Sequence, residues 1–202
     1  VVLLSGSGTT LQNFIDLMEA GKLPIAISLV ISNKADAYGL VRARNHGIPT
    51  QCILRAEMGS KEAFHAAVAD SIREEDPDLI LLAGYMTIFR PDSKYYARTM
   101  NVHPALIPAF CGKGMYGHHV HEAVIESGVK VTGVTVHFAD EHYDSGPIIL
   151  QQPVFVADSD TPESLAEKVQ AAERNLYPQA IRLFAGENLQ IHGKRVKIVD
   201  TK

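Results

Sequence analysis

Cysteine is scarce, and its placing excludes a scaffold. Cys52 and Cys111 are the only two; they make no CxxC and no disulfide framework, so a reducing compartment, the cytoplasm, is expected. Basic blocks are missing as well. Nineteen Lys and Arg stand against 23 Asp and Glu, a formal net charge of -4, which argues against a general nucleic-acid binder. No apolar run reaches the roughly 18 residues that begin to read as a membrane span. No charged-apolar-cleavage leader stands at the start, so nothing points to a membrane or to export. The chain opens inside an apolar run, and at least one native residue is expected before Val1. There is no internal repeat and no low-complexity segment. What remains is ordinary globular composition, 202 residues with 46% hydrophobic and 21% charged content, enough for one domain over 1–202 with a full core.

The apolar pattern alternates strand with helix. Val1 to Leu4 reads as a buried strand and Leu11, Phe14, Ile15 and Met18 as a helical stripe ending at Gly21. Further strands are expected over Pro24–Ile31, Pro49–Leu54 and Asp78–Ala83, with helices over Ala37–His46, closed by Gly47, and Lys61–Glu75. Pro104 to Tyr116 holds two prolines and two glycines and reads as a loop. A helix over Gly117–Ser127 follows, then strands Val131–Phe138, which alternates, and Ile148–Val156. A helix opens at Thr161-Pro162 with the stripe Leu165, Val169, Ala172, Leu176, Ala180 and Leu183, and Pro178 is expected to kink it. Leu189–Ile191 and Arg195–Val199 flank Gly193 as a hairpin. The class is α/β: an open, mostly parallel twisted sheet with helices on both faces and a short C-terminal hairpin.

Chemistry gathers at three places. Ser5-Gly6-Ser7-Gly8-Thr9-Thr10, between strand and helix, suits a phosphate: glycines let the backbone close in, and the first helix N–H groups point at the anion. The dinucleotide fingerprint is not met, because position 11 is Leu and the second strand ends in Asn33-Lys34. One phosphate monoester is therefore expected, and no NAD. The run Gly84 to Phe89 is apolar enough to line a pocket for a flat ring, or equally to plug the next helix. Asn101-Val102-His103-Pro104 and the loop Asp140 to Pro147 bring an amide, an imidazole and a carboxylate to the end of a parallel sheet. That set can stabilise an oxyanion, move a proton and hold the imidazole charged, the needs of acyl transfer to an amine. Singly, each is more simply a turn former or a structural histidine. His118 and His121 fall at i, i+3, with no carboxylate or cysteine expected at a ligand-like spacing, so no metal is expected.

In order, SGSGTTLQ, NKADAYGLVRA, LLAGYMTIF, NVHPALIPAF and HFADEHYDSGPIILQ resemble the phosphoribosylglycinamide formyltransferases, within the folate-dependent formyltransferase family. The likeness runs over nearly the whole chain. It implies a formyl group moved from 10-formyltetrahydrofolate, a co-substrate, to the amine of 5-phosphoribosylglycinamide in purine biosynthesis, by a monomer or homodimer. By that likeness Asn101, His103 and Asp144 are catalytic, with His103 protonated beside Asp144. Gly8, Thr9 and Thr10 hold the substrate phosphate and Glu173 the ribose. Lys61, Met86, Thr87, Ile88, Phe89 and Asn101 line the folate site with Asp140, Glu141, His142, Tyr143 and Asp144. Many members carry Asn at position 10, Arg at 61 and 87 and Pro at 111, and a shorter 112–119 segment. A formyltetrahydrofolate hydrolase, a methionyl-tRNA formyltransferase and a non-catalytic nucleotide-binding module are the rival readings. The hydrolase usually has an extra N-terminal domain, and the tRNA enzyme a basic C-terminal one.

Overall fold

The computed structural model describes residues 1–199. The chain is α/β, with a mostly parallel open sheet and a C-terminal antiparallel hairpin, and it divides into two compact units, Val1–Met100 and Asn101–Lys202.

The first unit holds β1 (Val2–Leu4), α1 (Thr9–Glu19), β2 (Val30–Ser32), α2 (Tyr38–Asn45), β3 (Thr50–Cys52), α3 (Lys61–Glu75) and β4 (Ile80–Leu82). Its strands run β3-β2-β1-β4, all parallel, with Val2 opposite both Val30 and Leu81. Val2, Leu3, Leu4, Val30, Ile31, Ile80 and Leu81 are all buried, as a parallel sheet covered on both faces requires. The strands are shorter than their apolar runs. Of the expected Pro24–Ile31 strand, only Val30 and Ile31 join the ladder, although Ile27 and Leu29 are buried. Apolar content reports burial, and burial does not require ladder pairing. The helices follow their stripes: Leu11, Phe14 and Ile15 on α1, and Phe64, Val68 and Ile72 on α3, are buried. Ser60 caps α3 by accepting from the Ala63 N–H at 3.0 Å.

The first loop is pinned by α2. Gly39 N–H donates to Gly6 O at 3.1 Å and Arg42 Nε to Ser7 O at 2.9 Å. Gly8 takes φ +70°, and a Cβ there would stand 2.5 Å from Gly39 Cα. A Cβ at Gly39 would in turn stand 2.5 Å from Leu4 Cδ2 and 3.2 Å from Gly8 Cα.

The second unit holds β5 (Thr99–His103, its first two residues shared with the first unit's range), α4 (His118–Ser127), β6 (Val131–Phe138), β7 (Ile148–Phe155), α5 (Pro162–Ala185), β8 (Leu189–His192) and β9 (Arg195–Ile198). β6 and β7 pair antiparallel, from Val131 opposite Phe155 to His137 opposite Ile148, with an irregularity at Val136/His137. β6 does not alternate in burial: Thr132 to Phe138 are all buried, so both its faces are covered. α5 packs on β6, β7 and α4. Its stripe is closed by Ile181 in place of Leu183, and the helix runs unbroken through the buried Pro178. Thr161 and Ser164 form a reciprocal cap at its start.

Gly8→Ala tests the close approach against Gly47→Ala, which has a similar φ of +69° but open space around it. The left-handed backbone costs each about 1–2 kcal/mol. Only Gly8→Ala adds a collision with backbone, so its Tm is expected to fall further, by roughly 2–4 °C for each extra kcal/mol. Equal losses would contradict the contact.

Candidate active site

β5 ends on Asn101-Val102-His103 and β6 on His137-Phe138, and the return loop to β7 carries Asp144. That loop is built to turn Asp144 inward. Asp140 accepts from Ser145 Oγ at 2.8 Å and from the His142 N–H at 2.9 Å. Asp144 sits at φ +51°, a region Asp tolerates better than most residues. Gly146 passes so close to Phe138 that a Cβ would lie 1.9 Å from its carbonyl oxygen. The Asp144 side chain is only 10% exposed.

Four groups surround that carboxylate. The Gly112 N–H donates to Oδ2 at 2.9 Å and Asn101 Nδ2 to Oδ1 at 3.4 Å. His103 Nδ1 lies 3.6 Å from Oδ2 and His137 Nε2 3.7 Å from Oδ1. A carbonyl can only accept, so the backbone sets both tautomers. His103 Nε2 contacts Phe110 O at 2.7 Å and therefore carries a proton; Nδ1, facing Asp144, is the nitrogen that gains or loses one. His137 Nδ1 contacts Phe138 O at 2.9 Å and carries a proton, leaving Nε2 to accept from Asn101 Nδ2 at 3.2 Å. Both N–H directions of Asn101 are thus committed, the longer to Asp144. An oxyanion here would take over that weaker bond.

Charge follows from burial. Burial pushes the Asp144 carboxyl up, but the His137 and His103 rings and the Gly112 amide together hold it below the ordinary carboxylate range. Asp144 is ionised at neutral pH. For His103, burial is the largest influence and lowers its pKa; Asp144 and the Phe110 carbonyl pull upward and His137 downward, and the net is low. The expected protonated His103 is therefore corrected: it rests as a neutral imidazole, because lost solvation outweighs one carboxylate 3.6 Å away. The intervening Cys111 donates to Pro108 O at 3.2 Å, and burial, then Asp144, push its thiol up.

Three of the expected site residues, Asn101, His103 and Asp144, come together. His137, the Phe110 carbonyl and the Gly112 amide join them without having been foreseen. In the same unit Tyr143 is exposed and Glu173 half-buried on α5. In the first unit, Gly8 N-caps α1, whose first turn has no side-chain cap and no acid. Lys61 is exposed as the first residue of α3. Met86 is exposed, Ile88 half-buried and Phe89 buried, while Thr87 Oγ accepts from Asn33 Nδ2 at 2.7 Å. One expectation about the histidines fails. Carboxylates do flank His118: Glu122, one turn on, at 3.7 Å and Glu163 of α5 at 3.4 Å. His121 turns into the interior, and no group of three or more His, Cys, Asp or Glu among the described residues is arranged to hold a metal ion.

A profile described as Formyl transferase matches residues 1–181. The chain belongs to the formyl transferase family. Phosphoribosylglycinamide formyltransferase of Escherichia coli is 38% identical to this formyl transferase over 194 residues, 95% of this chain and 89% of that protein. The structure of glycinamide ribonucleotide transformylase 1 from Symbiobacterium toebii is similar with a TM-score of 0.91 at 44% identity, covering 98% of this chain and 92% of that one. A formyltetrahydrofolate deformylase from Pseudomonas syringae matches with a TM-score of 0.86 at 25% identity, over 98% of this chain but 65% of its own. No helix among the described residues of this formyl transferase is long and apolar enough to cross a membrane.

A histidine whose folded pKa is lowered is protonated only below the ordinary imidazole value of about 6.5. Ring-nitrogen NMR of His103 is expected to show Nδ1 titrating with a midpoint under that value, and Nε2 protonated throughout. A midpoint above it would contradict the dominance of burial. By linkage, stability is expected to rise with pH across the window between the two values, since there the unfolded chain binds more protons.

Proposed function

We propose that this formyl transferase moves the formyl group of 10-formyltetrahydrofolate to the amine of 5-phosphoribosylglycinamide in purine biosynthesis, by direct attack. The observation that carries the chemistry is an imidazole whose titratable nitrogen stands 3.6 Å from a buried carboxylate that also accepts from an amide donor at 3.4 Å; burial lowers the pKa of that imidazole. The substrate is supported by the names of the Escherichia coli and Symbiobacterium toebii relatives.

The free amine attacks the formyl carbon, a C–N bond forms and the formyl oxygen becomes an oxyanion. Asn101 donates to it, giving up its long bond to Asp144. His103 Nδ1 takes the proton from the attacking nitrogen, and Asp144 stabilises the imidazolium that results. As the intermediate collapses, the bond from carbon to the folate nitrogen breaks, and His103 returns the proton to that nitrogen. No protein group is acylated. Starting from neutral His103 suits the first proton transfer better than the charged form would.

The remaining assignments belong to the same proposal. Gly8, Thr9 and Thr10 hold the phosphate, favoured by the uncapped N-terminus of α1, and Glu173 takes the ribose hydroxyls. Lys61 with Met86 to Phe89, Asn101 and Asp140 to Asp144 contact the folate. Lys61 stands at a helix N-terminus, where a carboxylate ligand is doubly favoured. Residues 1–202 act as one cytoplasmic formyltransferase domain, monomer or homodimer.

The likeness to a deformylase supports one rival, hydrolysis of the same folate. Incubation of the purified chain with 10-formyltetrahydrofolate, with and without the ribonucleotide, separates them. Tetrahydrofolate is expected to appear only with the acceptor. Equal formate release without it would establish the hydrolase instead, and no turnover in either arm would leave a binding module.

A further inference from the structure

The loop after His103 supplies two backbone groups to the site, and something must hold that loop. Thr135, on β6, and Gln151, opposite it on β7, do so. The Thr135 hydroxyl donates to Ala105 O at 2.7 Å and accepts from the Ile107 N–H at 3.1 Å. Gln151 Nε2 donates to Ile107 O and to the same hydroxyl, both at 3.0 Å. One donor and two acceptor positions exhaust what a hydroxyl offers, so Thr135 is fully committed to this clamp. It is also fully buried, as is Ala105, so a lost bond there is not replaced by water. Leu106 lies over Gly133 so closely that a Cβ there would stand 2.7 Å from its Cδ2. Beyond the clamp the chain turns at once: Ala109 N–H donates to Leu106 O at 2.9 Å and Cys111 Sγ to Pro108 O at 3.2 Å. The Phe110 carbonyl and the Gly112 N–H come directly after.

We propose that Thr135 and Gln151 are positioning residues: by fixing residues 105–107 on β6 and β7 they aim the Phe110 carbonyl at His103 and the Gly112 amide at Asp144, and so choose which imidazole nitrogen carries the proton. Neither has a bond to Asn101, His103 or Asp144 in the site described above. Their effect is on tautomer and placement. Without the Phe110 acceptor, nothing keeps the proton on Nε2, and a share of His103 carries it on Nδ1 and cannot accept another there. The kinetic consequence rests on the formyl-transfer reading; the tautomer does not.

The test compares Thr135→Val, which keeps shape and loses the hydroxyl, with Thr135→Ser, which keeps the hydroxyl, and with Gln151→Met. Gln151 is solvent-exposed, so its variant is expected to fold even if Thr135→Val does not. Ring-nitrogen NMR above the His103 midpoint, assigned against His103→Asn, is expected to show Nε2–H alone in the parent and Thr135→Ser, and a mixture in the other two. Misplacement of about 1 Å can cost roughly a hundredfold in rate, so kcat is expected to fall about 10–100-fold in Thr135→Val, and less in Gln151→Met, with ribonucleotide KM within about twofold. Folded Gln151→Met and Thr135→Val that keep the parental tautomer overturn the proposal; so does a parental kcat in both. A parent without formyl transfer refutes the function proposed above, and the tautomer then decides the clamp alone.

Discussion

Asp144 is a carboxylate with little access to water, and the second unit is arranged around compensating it. An ionised group removed from solvent and left unpaired costs several kcal/mol. Here the compensation comes from a backbone amide at 2.9 Å and a side-chain amide at 3.4 Å, and two imidazole nitrogens stand just beyond hydrogen-bond reach, where a proton would find the carboxylate. Each donor arrives by a different route. Asn101 comes from the end of β5, and Gly112 from a loop that must fold back to reach it. Strand ends, a docked loop and an inward-turned aspartate are one solution to one electrostatic problem.

The same burial decides the state of His103. Desolvation disfavours its charged form more than Asp144 favours it, so the pair rests as neutral imidazole beside carboxylate. The carboxylate's attraction is felt fully only once Nδ1 has taken a proton, which in the mechanism is at the tetrahedral intermediate. An interaction stronger there than in the resting enzyme lowers the barrier, where one already made in full would not. A histidine charged at rest would have spent that interaction in advance.

Much of this was readable from residues. The Asn101-Val102-His103 stretch and the loop holding Asp144 announce themselves by side-chain chemistry, and the glycine loop after β1 by its place between a strand and a helix. The groups that escaped notice are of two kinds. Phe110 and Gly112 act through backbone atoms, which every residue possesses, so no sequence pattern marks them. His137 stands inside a strand that reads as alternating core, and only its folded contact with Asn101 Nδ2 at 3.2 Å brings it into the site. The sequence makes His103 charged and the structure neutral, because an acid near a histidine is visible in sequence and depth of burial is not. The strands are shorter than their apolar runs for a related reason: Ile27 is interior without joining the ladder. Glu122 and Glu163 beside His118 were missed because the first needs a helical turn and the second a separate helix to bring it there.

The central claim is that the negative charge of Asp144, and not the turn it occupies, drives proton transfer at His103. Asp144→Asn keeps the size, tolerates the same φ of +51° and can still accept from the Gly112 N–H, while removing the charge. The decisive measurement is kcat and KM for this variant beside its thermal melt. The account predicts a folded protein with the ribonucleotide KM near the parent's and kcat lower by roughly 10²–10⁴-fold, the span of lost general acid-base assistance. A folded variant keeping more than about a tenth of the parental kcat, below the smallest loss in that span, would contradict it.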